Sequence, residues 1–226
     1  MTHPESAAPR LNEYIRRAHA ALSPGAYAAH RLLDDPAIAD GAPELAVLYA
    51  EFALADGKAL ADGVLGQLGC DPYRIAAALG VTVEECDWSG DYGAIVVYAN
   101  YTARPCRVQL FRPNIDTLQL AFEASELAER DSKDVTKMFL AHELYHHLDE
   151  SRAVPLCRRY TATRRRIGPW RLTREVPYLR EIAAAAFAQR LIDMPFDAQL
   201  CDLVTLFLRN PQYAELTLRQ FQHRRQ

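Results

Sequence analysis

The stretch His142-Glu143-Leu144-Tyr145-His146 constrains this chain more than any other. Around it Val135, Met138, Phe139, Ala141, Leu144, Tyr145 and Leu148 recur at helical spacing. They cover more than half of the circumference of the helix they predict. Such a helix is buried on most sides, and two imidazoles and a carboxylate on it are costly to bury unless something satisfies them. Residues at i and i+4 lie one above the other on one face, so His142 and His146 can share one metal ion. Glu143 is rotated by about 100° from His142. It is poorly placed as a third ligand and well placed to take a proton from a water on that ion. Separate hydrogen bonds to the backbone are the competing account. One ion with its water satisfies all three side chains together and is preferred. Asp131 or Ser132 is expected to cap the helix, with Asp134 in its first turn.

A catalytic site of this kind takes three protein ligands and leaves one position open. Asp149 shares the motif face but lies about 10 Å along the axis from His142, and is assigned a supporting or surface role. His147 is off that face and is expected to make a hydrogen bond or meet solvent. The segment from Tyr178 to Met194 predicts a helix ended by Pro195. Its stripe of Ala184, Ala185, Phe187, Ala188 and Leu191 would let it pack closely on the motif helix. Glu181 stands at its start, a carboxylate on an alanine-lined face, and the ion is its expected partner. Glu175, in an arginine-rich stretch, is the runner-up.

The N-terminal third reads as helical. A first stripe is Leu11, Tyr14, Ile15, Ala18 and Leu22, and a short helix follows from Tyr27 to Leu33. Pro43 opens a longer helix, with Leu45, Leu48, Tyr49, Phe52, Leu60, Val64, Leu65 and Leu68 as its apolar stripe and Gly57 as a weak point. Asp71-Pro72 opens a short helix that Gly80 stops. Val81–Val83, Ala94–Ala99 and Cys106–Phe111 read as strands, with Asn100 to Pro105 as a turn. They predict a sheet of about three strands with at least one antiparallel pair. Ile115 to Glu129 is an amphipathic helix, and two more are expected from Ala198 to Leu208 and from Tyr213 to Phe221. The fold class is therefore α+β: mainly helical, with a small sheet packed on the motif helix. Residues 1–70 are read as an N-terminal helical extension and 71–226 as the metal-site domain, with an insertion at 151–175.

No apolar run reaches the roughly 18 residues of a membrane span. The net charge of -3 weighs against direct nucleic-acid binding by the protein as a whole. The five cysteines are odd in number and form no C-x-x-C pair; they are expected to be reduced, mostly buried thiols in a cytoplasmic protein. Between Ser151 and Arg174 stand Arg152, Arg158, Arg159, Arg164, Arg165, Arg166, Arg171 and Arg174, with no acid among them. Gly168-Pro169 marks a turn, so 157–166 and 170–174 predict a basic hairpin. It is either a solvated loop or a contact for an acidic partner, or for nucleic acid near a bound regulator.

Two motifs taken together carry a resemblance. His142-Glu143-Leu144-Tyr145-His146-His147-Leu148 on one helix is followed by Glu181-Ile182-Ala183-Ala184-Ala185-Ala186-Phe187-Ala188 and its continuation to Met194-Pro195 on another. With the opening Asp71 to Val83, these resemble the ImmA/IrrE family of zinc metallopeptidases over roughly residues 71–205. The resemblance implies a gluzincin-like site: zinc held by His142, His146 and Glu181, with Glu143 as catalytic base. It also implies a cytoplasmic protein that cleaves or inactivates a DNA-binding repressor, often in stress responses. The expectation is a zinc metallopeptidase acting on a protein or peptide through a zinc-activated water. A catalytically silent zinc-binding regulatory module is the alternative. Tyr178, Tyr160 or an arginine of the basic stretch is the candidate oxyanion donor, and a substrate strand is expected to add to an exposed edge of the sheet.

Overall fold

The computed structural model describes residues 7–39, 43–91, 95–125, 135–167 and 170–223. The chain opens with helices α1 (Ala7–Ala21), α2 (Pro24–Leu32), α3 (Pro36–Ala39) and α4 (Leu45–Leu68). Helix α5 (Pro72–Ala78) leads into strand β1 (Thr82–Cys86). Asp71 caps α5 by accepting from the Tyr73 N–H at 3.0 Å, and Pro72 sits where the missing N–H costs nothing. Strands β2 (Ala99–Ala103) and β3 (Cys106–Phe111) form a hairpin, followed by α6 (Arg112–Glu123) and α7 (Val135–Glu150). Then come α8 (Leu156–Arg159), a second hairpin of β4 (Thr161–Ile167) and β5 (Trp170–Glu175), and helices α9 (Tyr178–Leu191), α10 (Leu200–Arg209) and α11 (Pro211–His223).

The main sheet has the order β1-β3-β2, parallel between β1 and β3 and antiparallel between β2 and β3. The expected α+β class and three-stranded sheet are therefore present. One face of α7 packs on β2 and β3, the other on α9, and α9 in turn packs on α4. The layers thus run sheet, α7, α9, α4. Both ends of the chain close on this stack. Tyr14 of α1 stacks on Phe207 of α10 at 4.5 Å, Tyr27 of α2 meets Phe221 of α11 edge-on, and Arg17 pairs with Glu215. One continuous hydrophobic core joins α1 and α2 to α7, α9, α10 and α11. No described helix is long and apolar enough to cross a membrane.

The tightest packing is where α4 crosses α9. The buried residues of α4 are Ala46, Ala50, Ala53, Gly57, Ala61 and Val64, a row of small side chains facing Ala183 to Ala188 on α9. A Cβ built on Gly57 would stand 2.1 Å from the Ala183 carbonyl oxygen. Gly57 is thus the point of closest approach, and only glycine fits it. This corrects part of the stripe expected for α4: Leu48, Phe52 and Leu68 are exposed, whereas Val64 is buried and Tyr49, Leu60 and Leu65 pack against the core. The small residues win the buried face because two helix axes can approach only where no bulky side chain intervenes.

The second strand is also displaced. Ala99–Ala103 takes the place expected for Ala94–Ala99, and Ile95 is 65% exposed. The two-residue connection Arg104-Pro105 sets Ala103 opposite Cys106. Pairing is counted back from that turn, so the strand falls on Tyr101 and Thr102 and not on the more β-branched run before it. The Val97 carbonyl is instead taken by the Asn114 side chain at 2.9 Å. Helix α6 begins at Arg112, three residues before Ile115, with Pro113 in its first turn. The caps expected at Asp131, Ser132 and Asp134, and the end of that helix at 126–129, lie outside the described residues. All five cysteines are free, but only Cys157 and Cys201 are buried; Cys70 is exposed and Cys86 and Cys106 are partly so.

Candidate metal centre

On α7, Leu144 and Tyr145 are fully buried. This anchors the helix and turns the motif face toward α9. The rings of His142 and His146 stand 5.0 Å apart, nearly perpendicular. Glu181, in the first turn of α9, reaches between them. Its Oε2 lies 3.2 Å from His142 Nε2 and its Oε1 lies 3.5 Å from His146 Nε2. One donor atom from each residue falls within 4.8 Å of the others. Two ligands bound tetrahedrally at about 2.0–2.1 Å from one zinc ion are about 3.3–3.4 Å apart, and each imidazole meets one of the two carboxylate oxygens near that spacing. The donor set of two imidazoles and a carboxylate suits a divalent transition ion. Glu175, the runner-up, pairs with Arg158 at 3.2 Å and is not part of this group.

Protonation states suit the same role. Burial pushes Glu181 up, but the hydrogen bond from His142 and the charges of His142, His146 and Arg180 outweigh it and hold the carboxyl down to about 2. Half of the Glu181 side chain is open to solvent, through the mouth of a cleft whose walls still surround it. Burial, helped by the neighbouring His142 charge, lowers His146 to about 3. Two of the three candidate ligands are therefore in the form that a metal ion requires. His142 differs: burial works against its charge, yet the hydrogen bond and charge of Glu181 raise it above the ordinary imidazole value.

Glu143 lies within reach of the Tyr101 backbone on β2, and the charges of His142 and Glu181 both act on it. Burial, with the Glu181 charge adding to it, pushes its carboxyl up to about 7 against the opposing charge of His142 and the backbone of Tyr101. The strand register explains that last contact. The Phe111 N–H donates to the Tyr98 carbonyl at 2.9 Å, and pairing continues residue by residue from Ala99 opposite Leu110. Antiparallel pairs alternate between bonded and non-bonded. The main-chain groups of Ala99, Tyr101 and Ala103 therefore point away from β3, along the free edge of the sheet, and the Tyr101 N–H faces Glu143. The Tyr101 hydroxyl meanwhile holds His147 Nδ1 at 3.0 Å, the hydrogen-bonded alternative for that residue.

A brace fixes α7 against α9. Asp149 is fully buried, which removes its surface alternative. It accepts from Arg180 Nε and from the Leu156 N–H, each at 3.0 Å. Arg180 directly precedes Glu181, so this bond ties the end of the histidine helix to the start of the glutamate helix. From α4, Asp56 accepts from the Tyr145 hydroxyl at 3.0 Å and from Arg152 at 2.7 Å.

Beside the triad opens a cleft of about 260 Å³, lined by His142 and Glu181 together with Arg31, Tyr178, Gln199 and Asp202. Of the candidate oxyanion donors, Tyr178 is therefore next to the ion site. Tyr160 is not: it stacks on Phe52 of α4 at 4.9 Å. Tyr101, Arg31, Gln199 and Asp202 are residues that the motif search missed. They come from a strand edge and from α2 and α10, and nothing in their local sequence marks them. The arginine-rich stretch forms α8 and the β4–β5 hairpin, in the expected place. Comparison of the chain with protein-family models, with curated proteins and with solved structures finds no match.

Proposed function

We propose that this protein is a zinc-dependent metallopeptidase of the ImmA/IrrE kind, acting in the cytoplasm on a protein partner, with a DNA-binding repressor as the expected target. The observation that carries the reading is the convergence of His142, His146 and Glu181 from two helices onto one point, with Glu143 on the adjacent flank. A bound zinc ion supplies Lewis acidity, lowering the pKa of a ligated water to about 7 and polarising a carbonyl. The protein's own groups do the rest. Glu143, poised near neutrality, accepts the proton of the attacking water and returns it to the leaving amine. The free edge of β2, at the main-chain groups of Ala99 and Ala103 and the Tyr101 carbonyl, offers donors and acceptors to an extended substrate segment, which would then pass over Glu143. The Asp149–Arg180 bond holds the two ligand-bearing helices in register.

The decisive variant is Glu143→Gln. Metal analysis should still find one zinc per chain, while cleavage of a candidate repressor falls by at least about a hundredfold. One zinc per wild-type chain without cleavage of any candidate would favour the silent regulatory module. Absence of zinc would remove both readings.

A further inference from the structure

The cleft beside the triad contains polar groups that the reaction leaves unused. Arg31 of α2 donates its Nε–H to the Tyr178 hydroxyl at 3.0 Å and lies over the Tyr178 ring. This fixes the guanidinium plane. Its two terminal nitrogens have no hydrogen-bond acceptor among the described residues, although the charge of Asp202 acts on the guanidinium. Because the Tyr178 oxygen accepts from Arg31, its own proton remains free to be donated. Tyr178 is one turn before Glu181 on the same face of α9, so both donors lie next to the ion site.

We infer that Arg31 and Tyr178 form a subsite, beside the ion, that binds a carboxylate group of the substrate. The guanidinium fork matches a carboxylate in two parallel hydrogen bonds, and the preset plane reduces the ordering cost of binding. Asp202 of α10 lines the same cleft, and a cationic group would be drawn to it instead. The preference for an anion rests on the two terminal guanidinium nitrogens of Arg31 and the Tyr178 proton, which can only donate. The subsite also draws α2 into substrate binding. What the carboxylate belongs to rests on the metallopeptidase reading: an Asp or Glu side chain near the scissile bond, or a free C-terminus.

Four small probes separate these cases on the full chain, both zinc-loaded and metal-free, by NMR shift titration. N-acetyl-glutamate amide carries only a side-chain carboxylate, and N-acetyl-glutamine only a terminal one. N-acetyl-glutamine amide is neutral, and N-acetyl-lysine amide is cationic. One of the acidic probes should bind at least about tenfold more tightly than the neutral one, and which one identifies the source. Arg31→Met should erase that preference and Arg31→Lys should keep part of it. Equal binding of acidic and neutral probes to the wild-type chain overturns the subsite, even if the variants do not fold. Tighter binding of the lysine probe also overturns it, as does a preference that survives in folded Arg31→Met. An acidic preference in a chain that takes up no zinc leaves the subsite standing and removes the metallopeptidase reading. Zinc uptake without the preference does the reverse.

Discussion

His142 is the candidate ligand whose protonation competes with a metal ion at pH below its titration. His146, lowered to about 3, and Glu181, held down to about 2, are in their binding forms at any pH above about 5. His142 is raised by Glu181, so at pH below its titration one proton must leave for one ion to enter. The sign follows: protonation opposes binding, and affinity weakens as pH falls through the His142 titration. Competition titrations of zinc should show about a tenfold loss per pH unit below that range. A hundredfold loss per unit would mean that both histidines hold protons in the free site. His142, Glu143 and His146 were legible in the sequence because i, i+4 spacing is local. Glu181 was legible because a lone acid on an alanine face is conspicuous. Arg31, Tyr101 and Asp202 were not, since each is placed by packing between segments far apart in the chain. A strand edge or an exposed helix residue carries no local sign of what it will face.

The element that most repays attention is α4. Its buried alanine row and Gly57 set how closely it meets α9, and hence where α9 presents Glu181. Gly57→Ala would bring a methyl against the Ala183 carbonyl. The better helix propensity of alanine, roughly 1 kcal/mol, should be outweighed by an overpacking cost of about 1–3 kcal/mol. Gly63→Ala on the same helix meets nothing within 4 Å and should stabilise by up to about 1 kcal/mol. Denaturant unfolding of the two variants should give shifts of opposite sign; shifts of the same sign would show that the seam relaxes freely. Apolar periodicity alone located α4 but placed Leu48, Phe52 and Leu68 on its buried face, where the alanine row sits instead, because burial there is governed by the distance between axes and not by hydrophobicity alone. The β2 error has a similar origin: propensity marked 94–99, while the turn at Arg104-Pro105 decided the register.

At the scale of the whole molecule, the site is a joint product of distant parts: the triad from α7 and α9, Glu143 facing β2, and the cleft wall from α2 and α10. An ion that binds only this assembled state stabilises it. At a free concentration a hundredfold above its dissociation constant, that is about 2.7 kcal/mol, or a melting shift of about 5–10 °C for a chain of this size. Removing metal with a chelator should lower the melting temperature by that amount and zinc should restore it. A temperature unmoved by chelation and zinc would mean that the triad holds no ion. The alanine–glycine seam has a further consequence, during synthesis. Helix α4 leaves the ribosome long before α9 exists, and its inner face must wait uncovered. A leucine face of the same length would be adhesive through that interval, whereas alanine and glycine expose little apolar surface. The seam that later fits most tightly is thus the least hazardous one to leave open.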